Sequence, residues 1–252
     1  MRKLEGGFIN EVYLDKNVVW KVYKNDNLVG VSSEDRLAKE ATALEIFGGS
    51  IAPRLISVEN NVLYQEFVPG ESYEERARRG EDVFKTAGSL LKKIHDCFVG
   101  RPINAPYFQS RFDKAVAVAR PILSSEGLRP VFNVSWPVVN GWGSRFIHGD
   151  FWLGNILGEA GRDPKVIDWE FFGRGSPFED FAIADLWIFR EFPGSDVSFW
   201  EGYGSVPDKS VIASFLTLRC VEFLATTTLK EYLVEDKNEF YHNKVKVLKA
   251  LI

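Results

Sequence analysis

The stretch from residue 148 to residue 170 constrains the fold more than any other part of this chain. It places Asp150, then Asn155 five residues on, then Asp168 thirteen residues beyond that. Each aspartate follows a short apolar pair, Phe146-Ile147 or Val166-Ile167. Such pairs predict short buried strands, so we expect both aspartates just past strand ends, on loops that a rigid scaffold supports.

These side chains suit phosphoryl transfer. One carboxylate can orient and deprotonate an acceptor hydroxyl, while a second carboxylate and a carboxamide hold Mg²⁺ on nucleotide phosphates. An Asp-x-x-x-x-Asn spacing followed by another Asp is typical of a kinase catalytic loop. Any one of these residues alone would indicate only a turn. Together they predict Asp150 as the catalytic base and Asn155 and Asp168 as metal ligands.

The complete string is more specific than its spacing. His-Gly-Asp at 148–150, Asn155, and Ile-Asp-Trp-Glu at 167–170 resemble the aminoglycoside phosphotransferase and choline kinase family of small-molecule kinases. The resemblance implies an α+β, bilobal, protein-kinase-like fold. A small antiparallel-sheet N-lobe would carry one helix, and the larger C-lobe would be mostly helical. The resemblance also implies ATP as co-substrate with Mg²⁺, leaves GTP open, and makes a small-molecule hydroxyl the acceptor.

The amino-acid composition limits which binding partners and which cellular compartment fit this chain. A net charge of −4 disfavours nucleic acid, and the chain of 252 residues has no apolar run long enough to span a membrane. The N-terminus lacks the apolar core of a signal peptide, so we expect no secretion. Two distant cysteines, Cys97 and Cys220, favour a reducing cytoplasm. We expect a monomer or a weak dimer.

Residues 1–68 predict strands with one helix, and we assign them to a nucleotide-binding N-lobe. The strands are expected at 8–13 and 17–23, with a turn between them. Gly6 and Gly7 precede the first strand in a Gly-Gly-x-x-Asn pattern. By resemblance they belong to the loop that covers the nucleotide phosphates, where glycine lets backbone N–H groups come close. A glycine pair at this position is also typical of a simple hairpin.

Lys21 interrupts an apolar strand, which fits either a lysine at a sheet edge or a lysine that contacts phosphates. The following helix favours the second interpretation. Ser32 or Ser33 can cap it, and Gly48-Gly49 ends it. Glu40 lies on the apolar stripe of this helix, whereas Glu45 does not. A carboxylate in an apolar face is costly unless it is paired, so we predict a Lys21–Glu40 ion pair beside the nucleotide.

A second hairpin, 55–58 with 62–68, leads to Pro69-Gly70, which predicts a hinge. By resemblance, the carbonyl of Glu66 and the N–H of Val68 bond the adenine edge. Residues 69–252 then form the catalytic and acceptor-binding helical lobe. We expect helices near 82–96 and 110–124, an irregular segment at 125–144, and more helices after 177.

Three further residues are predicted to have structural roles. His95 closes an apolar helical stripe and is expected to be a packed structural histidine, whereas His148 precedes Asp150 and is expected to brace the catalytic loop. By resemblance to the Gly-x-Pro-x-x-Asp-x-Ala element of the family, Asp180 holds the catalytic loop through hydrogen bonds.

The acceptor is the least constrained part of the prediction. Four acids and one base near the expected pocket favour a cationic, amine-bearing acceptor. The five charged residues are Glu170, Arg174, Glu179, Glu201 and Glu222. Phe151-Trp152 resembles the catalytic loop of fructosamine kinases, which also implies an amine-bearing sugar. A protein kinase and a catalytically inactive nucleotide-binding regulator are the alternatives. The motifs, the short chain and the complete catalytic set disfavour both.

Overall fold

The computed structural model describes residues 2–4, 10–24, 27–28, 31–101, 103, 105–133, 143–159, 161–228 and 237–251. The strands are β1 (Arg2–Lys3), β2 (Glu11–Asp15), β3 (Val18–Val22), β4 (Asn27–Leu28), β5 (Val31–Ser32), β6 (Leu55–Glu59), β7 (Val62–Glu66), β8 (Glu71–Ser72), β9 (Phe98–Gly100), β10 (Ser144–Ile147), β11 (Ile156–Gly158), β12 (Lys165–Val166) and β13 (Gly173–Gly175). The α-helices are α1 (Ser33–Phe47), α2 (Tyr73–Arg78), α3 (Phe84–His95), α4 (Ala105–Ser125), α5 (Pro177–Ala184), α6 (Ser195–Tyr203), α7 (Lys209–Thr228) and α8 (Lys237–Leu251).

The N-terminal part of the chain is a five-stranded antiparallel sheet in the order β1-β2-β3-β7-β6. Two-residue loops join β2 to β3 and β6 to β7. Lys16 and Asn60 open these loops with φ of 55° each, a backbone conformation that suits tight hairpins. We call this sheet and α1 the N-lobe, and the elements from α2 onward the C-lobe.

Helix α1 begins and ends where its sequence signals place it. The Ser32 hydroxyl accepts a hydrogen bond from the Asp35 N–H at 3.1 Å, and Gly48 lies at the C-terminal cap. Its buried face includes Glu40 and Ala43, whereas Glu45 is exposed. The helical period predicted a stripe of Leu37, Ala41, Leu44 and Phe47. The observed face is rotated slightly from it, because Ala43 rather than Ala41 is fully buried.

After Pro69-Gly70 the chain enters a small sheet in which β8 pairs with β11, and β11 with β12. Gly70 lies at this crossing with φ of 115°. A Cβ at this position would lie 2.4 Å from the carbonyl carbon of Gly158. Only glycine permits this approach, so the Pro69-Gly70 signal marks a real crossing point of the chain.

The C-lobe is built around α7, which packs against α4, α5 and α8, while α3 packs against α6. Helix α4 begins at Ala105, five residues before the predicted start, because Pro106 is tolerated in a first helical turn. The sheet β13-β10-β9 carries the strand that leads to Asp150. Strands β8, β9, β11 and β13 are too short to have been predicted from periodicity.

One aromatic cluster joins the two lobes. Phe47, the last residue of α1, stacks on Trp169 with ring centroids 5.2 Å apart. It also contacts Phe146 and Phe172 edge-on, at 6.0 and 6.1 Å. Trp169 follows Asp168 directly, so this packing holds α1 against the loop that carries the second aspartate. The predicted α+β architecture is confirmed.

Within the described residues, no helix is both long enough and apolar enough to cross a membrane. Both cysteines are free thiols.

Candidate active site

The catalytic loop is anchored by Asp180 in the first turn of α5. The backbone N–H groups of His148 and Gly149 each donate to its carboxylate at 2.8 Å. His95 Nε2 lies 3.0 Å from the same carboxylate, and its Nδ1 lies 3.0 Å from the Tyr203 hydroxyl. Burial alone would raise the pKa of Asp180, but the hydrogen bond with His95 and the nearby histidines hold it below its usual range. Asp180 therefore braces the loop, as predicted, and the buried His95 supports Asp180.

His148 connects the two loops that carry the aspartates. Its Nε2 lies 3.0 Å from the carbonyl oxygen of Ile167, and its Nδ1 accepts from the Asp150 N–H at 3.3 Å. Burial lowers the pKa of this imidazole, which favours its neutral form. A neutral ring with one donor and one acceptor nitrogen satisfies both contacts. His148 therefore fixes the relative position of Asp150 and Asp168.

A steric constraint requires glycine in the middle of the His-Gly-Asp string. Gly149 has φ of 84°, and a Cβ there would lie 2.5 Å from the carbonyl oxygen of Phe171. The loop thus passes directly over the segment that follows Asp168. No larger residue fits without moving one of the two loops.

We expect Gly149→Ala to destabilise the protein by more than the roughly 1–3 kcal/mol that a left-handed backbone costs a non-glycine residue. The matched control is Gly161→Ala, because Gly161 has φ of 83° and nothing within 4 Å of its built Cβ. Urea unfolding of both variants isolates the cost of the clash. Equal losses of unfolding free energy would show that the close approach to Phe171 contributes nothing.

Asp150 and Asn155 form one hydrogen-bonded unit. The Asn155 amide donates to the Asp150 backbone carbonyl at 2.9 Å and to its carboxylate Oδ2 at 3.3 Å. Asp150 is half-buried and Asn155 is buried. Burial raises the pKa of Asp150 to about 7, and the neighbouring Asp168 carboxylate adds to the rise. A carboxylate with a pKa near neutrality is suited to accept a proton from a hydroxyl.

This pKa predicts a pH dependence. A base works only in its deprotonated form, so kcat/KM should fall by about tenfold per pH unit below the pKa and level off above it. The midpoint of that limb should lie above the range of an ordinary aspartate, because burial raises the pKa of Asp150 to about 7 in the protein without bound metal. A pH–rate profile with saturating Mg²⁺ measures it. A limb centred near 4, the range of an ordinary aspartate, would contradict this environment.

Lys21 occupies the centre of a second cluster. Its Nζ donates to Glu40 Oε2 at 2.7 Å and also bonds the Asp168 carboxylate. Tyr23 donates from its hydroxyl to the same oxygen of Glu40. Burial alone would lower the pKa of Lys21, but the attraction of Asp168 and Glu40 raises it well above its usual range. The structure therefore contains the predicted Lys21–Glu40 pair and extends it to Asp168.

Asp168 lies two residues past β12 with φ of 64°, a conformation that aspartate adopts more readily than most residues. Burial would raise its pKa, but Lys21 outweighs burial and holds the pKa of this carboxyl below its usual range. Lys21 takes Oδ1, which leaves Oδ2 for another cation, and 37% of the side chain is exposed. The Asn155 backbone carbonyl accepts from the Ile167 N–H at 2.9 Å, so Asn155 lies beside the loop of Asp168.

Glu66 and Val68, which were predicted to contact adenine, lie at and just beyond the end of β7. Glu66 ends β7, and its carboxylate accepts from the Arg54 N–H at 3.3 Å. Val68 is half-buried just beyond it, and between them the Phe67 N–H donates to the Asn17 carbonyl at 3.0 Å. The adenine contacts assigned to these residues remain a prediction. Gly6 and Gly7 lie outside the described residues.

Sequence reasoning missed three residues that contact the site. Asn10 and Arg36 both bond Glu170, and Arg219 donates to the Gly149 carbonyl at 3.1 Å. Arg36 had a signal, since it lies one helical turn before Glu40 and so shares its face. Asn10 also had one, because it is the asparagine of the Gly-Gly-x-x-Asn pattern. Arg219 had none, because its partner is distant in sequence.

The expected acidic rim is wrong, because every acid in it is paired with a base. Glu179 lies 2.6 Å from Arg111, whose guanidinium also contacts Glu222 at 2.8 Å. Glu222 contacts Arg219 as well, at 3.0 Å. The two other acids, Glu170 and Glu201, pair with Arg36 and Lys85 at 2.9 and 2.7 Å. Charge at these positions therefore gives no preference for a cationic acceptor.

Comparison with known proteins agrees with this geometry. A model of the APH phosphotransferase enzyme family matches residues 1–215. No curated protein sequence matches the chain. Among solved structures, a choline/ethanolamine kinase family protein from Mesorhizobium loti has a TM-score of 0.66 and 16% identity, covering 99% of this chain and 87% of that one.

Two other structures show the same likeness. A spectinomycin phosphotransferase in complex with ADP and spectinomycin has a TM-score of 0.64 at 15% identity, covering 99% of this chain and 92% of that one. An ethanolamine kinase from Plasmodium vivax has the same TM-score and identity, covering 99% and 80%. At these identities the likeness establishes the protein-kinase-like fold. The match to the family model, over most of the chain, shows that this protein belongs to the APH phosphotransferase enzyme family and is a small-molecule kinase.

Proposed function

We propose that the protein moves the γ-phosphoryl group of ATP to a hydroxyl of a small molecule, with residues 1–68 binding the nucleotide and residues 69–252 carrying the base and the acceptor site. The observation that carries this proposal is Lys21 bridging Glu40 and Asp168, with Asp150 on the adjacent loop. In the reaction a bond forms between the acceptor oxygen and the γ-phosphorus, and the bond from that phosphorus to ADP breaks.

Each residue in the cluster has one role in this proposal. Asp150 orients the acceptor hydroxyl and accepts its proton, which its raised pKa favours. Lys21 contacts the nucleotide phosphates, and Glu40 holds its ammonium group in place. Gly6 and Gly7 cover the phosphates, while Glu66 and Val68 meet the adenine edge.

The donor set around Asp168 fits Mg²⁺. Mg²⁺ prefers one or two protein oxygens and completes its shell with phosphates and water. Asp168 offers Oδ2, and Asn155 offers its amide oxygen because its amide nitrogen is directed to Asp150. The carboxylates of Glu40, Asp150 and Asp168 together carry more negative charge than the single positive charge of Lys21 can balance, so a further cation is favourable here. When bound, Mg²⁺ would neutralise charge on the transferring phosphoryl group.

The acceptor is proposed to carry an amine. Structural neighbours bear the names of choline, ethanolamine, spectinomycin and streptomycin, and all four compounds carry an amine or another cationic nitrogen group. Within this chain the supporting residue is Trp152, which is half-buried in the catalytic loop and whose indole packs where Gly154 lacks a Cβ. An aromatic face at this position attracts a cation without any net charge.

A thermal-shift screen tests the nucleotide part of the proposal. Mg·ATP at 100 times its Kd should stabilise the protein by about 2.7 kcal/mol. Amine-bearing and neutral alcohols are then compared by ADP release. Trp152→Leu should raise KM for the amine acceptor and leave KM for ATP unchanged. Turnover of neutral or carboxylated alcohols alone would refute the amine preference but not the phosphotransfer.

A further inference from the structure

Three buried residues from distant parts of the chain meet beside Asp168. Glu170 Oε2 accepts from Arg36 Nη1 at 2.9 Å and from Asn10 Nδ2 at 2.7 Å. Arg36 Nη1 also donates to Asn10 Oδ1 at 3.2 Å, which closes the triangle. All three side chains are at most 5% exposed. None of them has a role in the phosphoryl transfer proposed above.

We propose that this Asn10–Glu170–Arg36 triangle positions the phosphate-binding groups of the site, with Glu170 acting through its neighbours rather than on the metal. This inference rests on the proposed function. Each corner lies close to one of those groups, either along the chain or across a pair of strands. Glu170 follows Asp168 by two residues, and Arg36 lies one helical turn before Glu40 on α1. Asn10 immediately precedes β2, whose Val12 pairs with Lys21 of β3.

The geometry explains why these three elements need a common anchor. Lys21 must reach Glu40 on α1 and Asp168 on the C-lobe loop simultaneously. A shift of either lobe would break one of these contacts. Hydrogen bonds between charged groups in a buried site are strong and directional, so the triangle resists that shift.

The burial of Glu170 also argues against a direct role on a metal ion. Its side chain is only 3% exposed, and its Oε2 accepts two hydrogen bonds from buried partners. Asp168, by contrast, is 37% exposed. The two carboxylates of the Asp-Trp-Glu string therefore have different roles: Asp168 is available to a metal ion, and Glu170 positions its neighbours.

The test compares the binding of Mg·ATP with that of adenosine, by calorimetry, in the full-length protein. Asn10→Ala is the main variant, because it removes one neutral side chain and keeps the Arg36–Glu170 pair. It should lower the affinity for Mg·ATP by about tenfold, the effect of losing one hydrogen bond to a charged group, and leave the affinity for adenosine unchanged. Glu170→Gln should act in the same direction. The control is Glu45→Gln, because Glu45 is an exposed acid on α1, the helix that carries Arg36. This change should not alter the binding of either ligand.

The double variant Asn10→Ala/Glu170→Gln completes the test. Members of one network are not additive, so it should lose little more affinity than the larger single change. If Glu170→Gln weakens Mg·ATP while Asn10→Ala does not, Glu170 acts on the metal and the inference is overturned. Equal loss of ATP and adenosine binding would also overturn it, because that result indicates general unfolding. Wild-type protein that binds neither ligand would instead refute the proposed function.

Discussion

Asp150→Asn is expected to lower kcat by about 10²–10⁴-fold, the range for removal of a general base. The amide keeps the shape and the contacts of the loop, in which Asp150 bonds His148 and Asn155. It cannot accept the proton of the acceptor hydroxyl. Affinity for Mg·ATP should remain close to that of the wild type, because Lys21 and Asp168 are untouched. Single-turnover kinetics and nucleotide titration measure the two effects separately.

Stability provides an internal control for this variant. The pKa of Asp150 is raised from 3.8 to about 7, so the folded state binds this proton more tightly than the unfolded chain does. The ionised carboxylate is therefore destabilising, and increasingly so as pH rises from about 4 to 7. Above pH 7, Asp150→Asn should melt no lower than the wild type. Turnover close to that of the wild type would mean that another group is the base.

Asp168→Ala is expected to abolish the Mg²⁺-dependent part of nucleotide binding. The change removes a partly exposed carboxylate that contacts Lys21 through Oδ1 and keeps Oδ2 available. Lys21 retains Glu40 as a partner, so the lysine is not left as an uncompensated buried charge. Titration of ATP with and without Mg²⁺ measures the effect. In the wild type the two affinities should differ, and in the variant they should converge.

Asp163→Ala is the matched control, because Asp163 is an exposed aspartate five residues earlier in the chain. It should bind Mg·ATP as the wild type does. A difference between the two ATP affinities that persists in Asp168→Ala would place the metal on other residues. The same titration with Asn155→Ala should show a smaller loss, since a neutral amide holds Mg²⁺ less strongly than a carboxylate.

Local signals in the sequence predicted those parts of the site that depend on short spacings. Ser32 and Gly48 bound α1, and the helical period then placed Glu40 on the inner face. A lysine in the adjacent apolar strand was its natural partner, and the Lys21–Glu40 contact confirms that expectation. The same holds for Asp180, whose contacts with the catalytic loop follow from a motif typical of the family.

Contacts between distant segments could not be predicted in this way. Asn10 and Arg36 are 160 and 134 residues from Glu170, and no periodicity relates them. The acidic rim was wrong for the same reason, since acids on α5 and α7 look unpaired until α4 brings Arg111 to both. A charge read from sequence gives the sign of a side chain but not its partner. Partners depend on how the helices pack.

The most direct test of phosphotransfer follows the phosphoryl group itself. The protein is incubated with Mg·ATP and a panel of amine-bearing alcohols, and both ADP and the acceptor are quantified by mass spectrometry. We predict ADP formation that depends on the acceptor, in equal amount to an acceptor that has gained one phosphoryl group, and loss of both products in Asp150→Asn. ADP formation that is unaffected by every acceptor and by Asp150→Asn would contradict the assignment of this site.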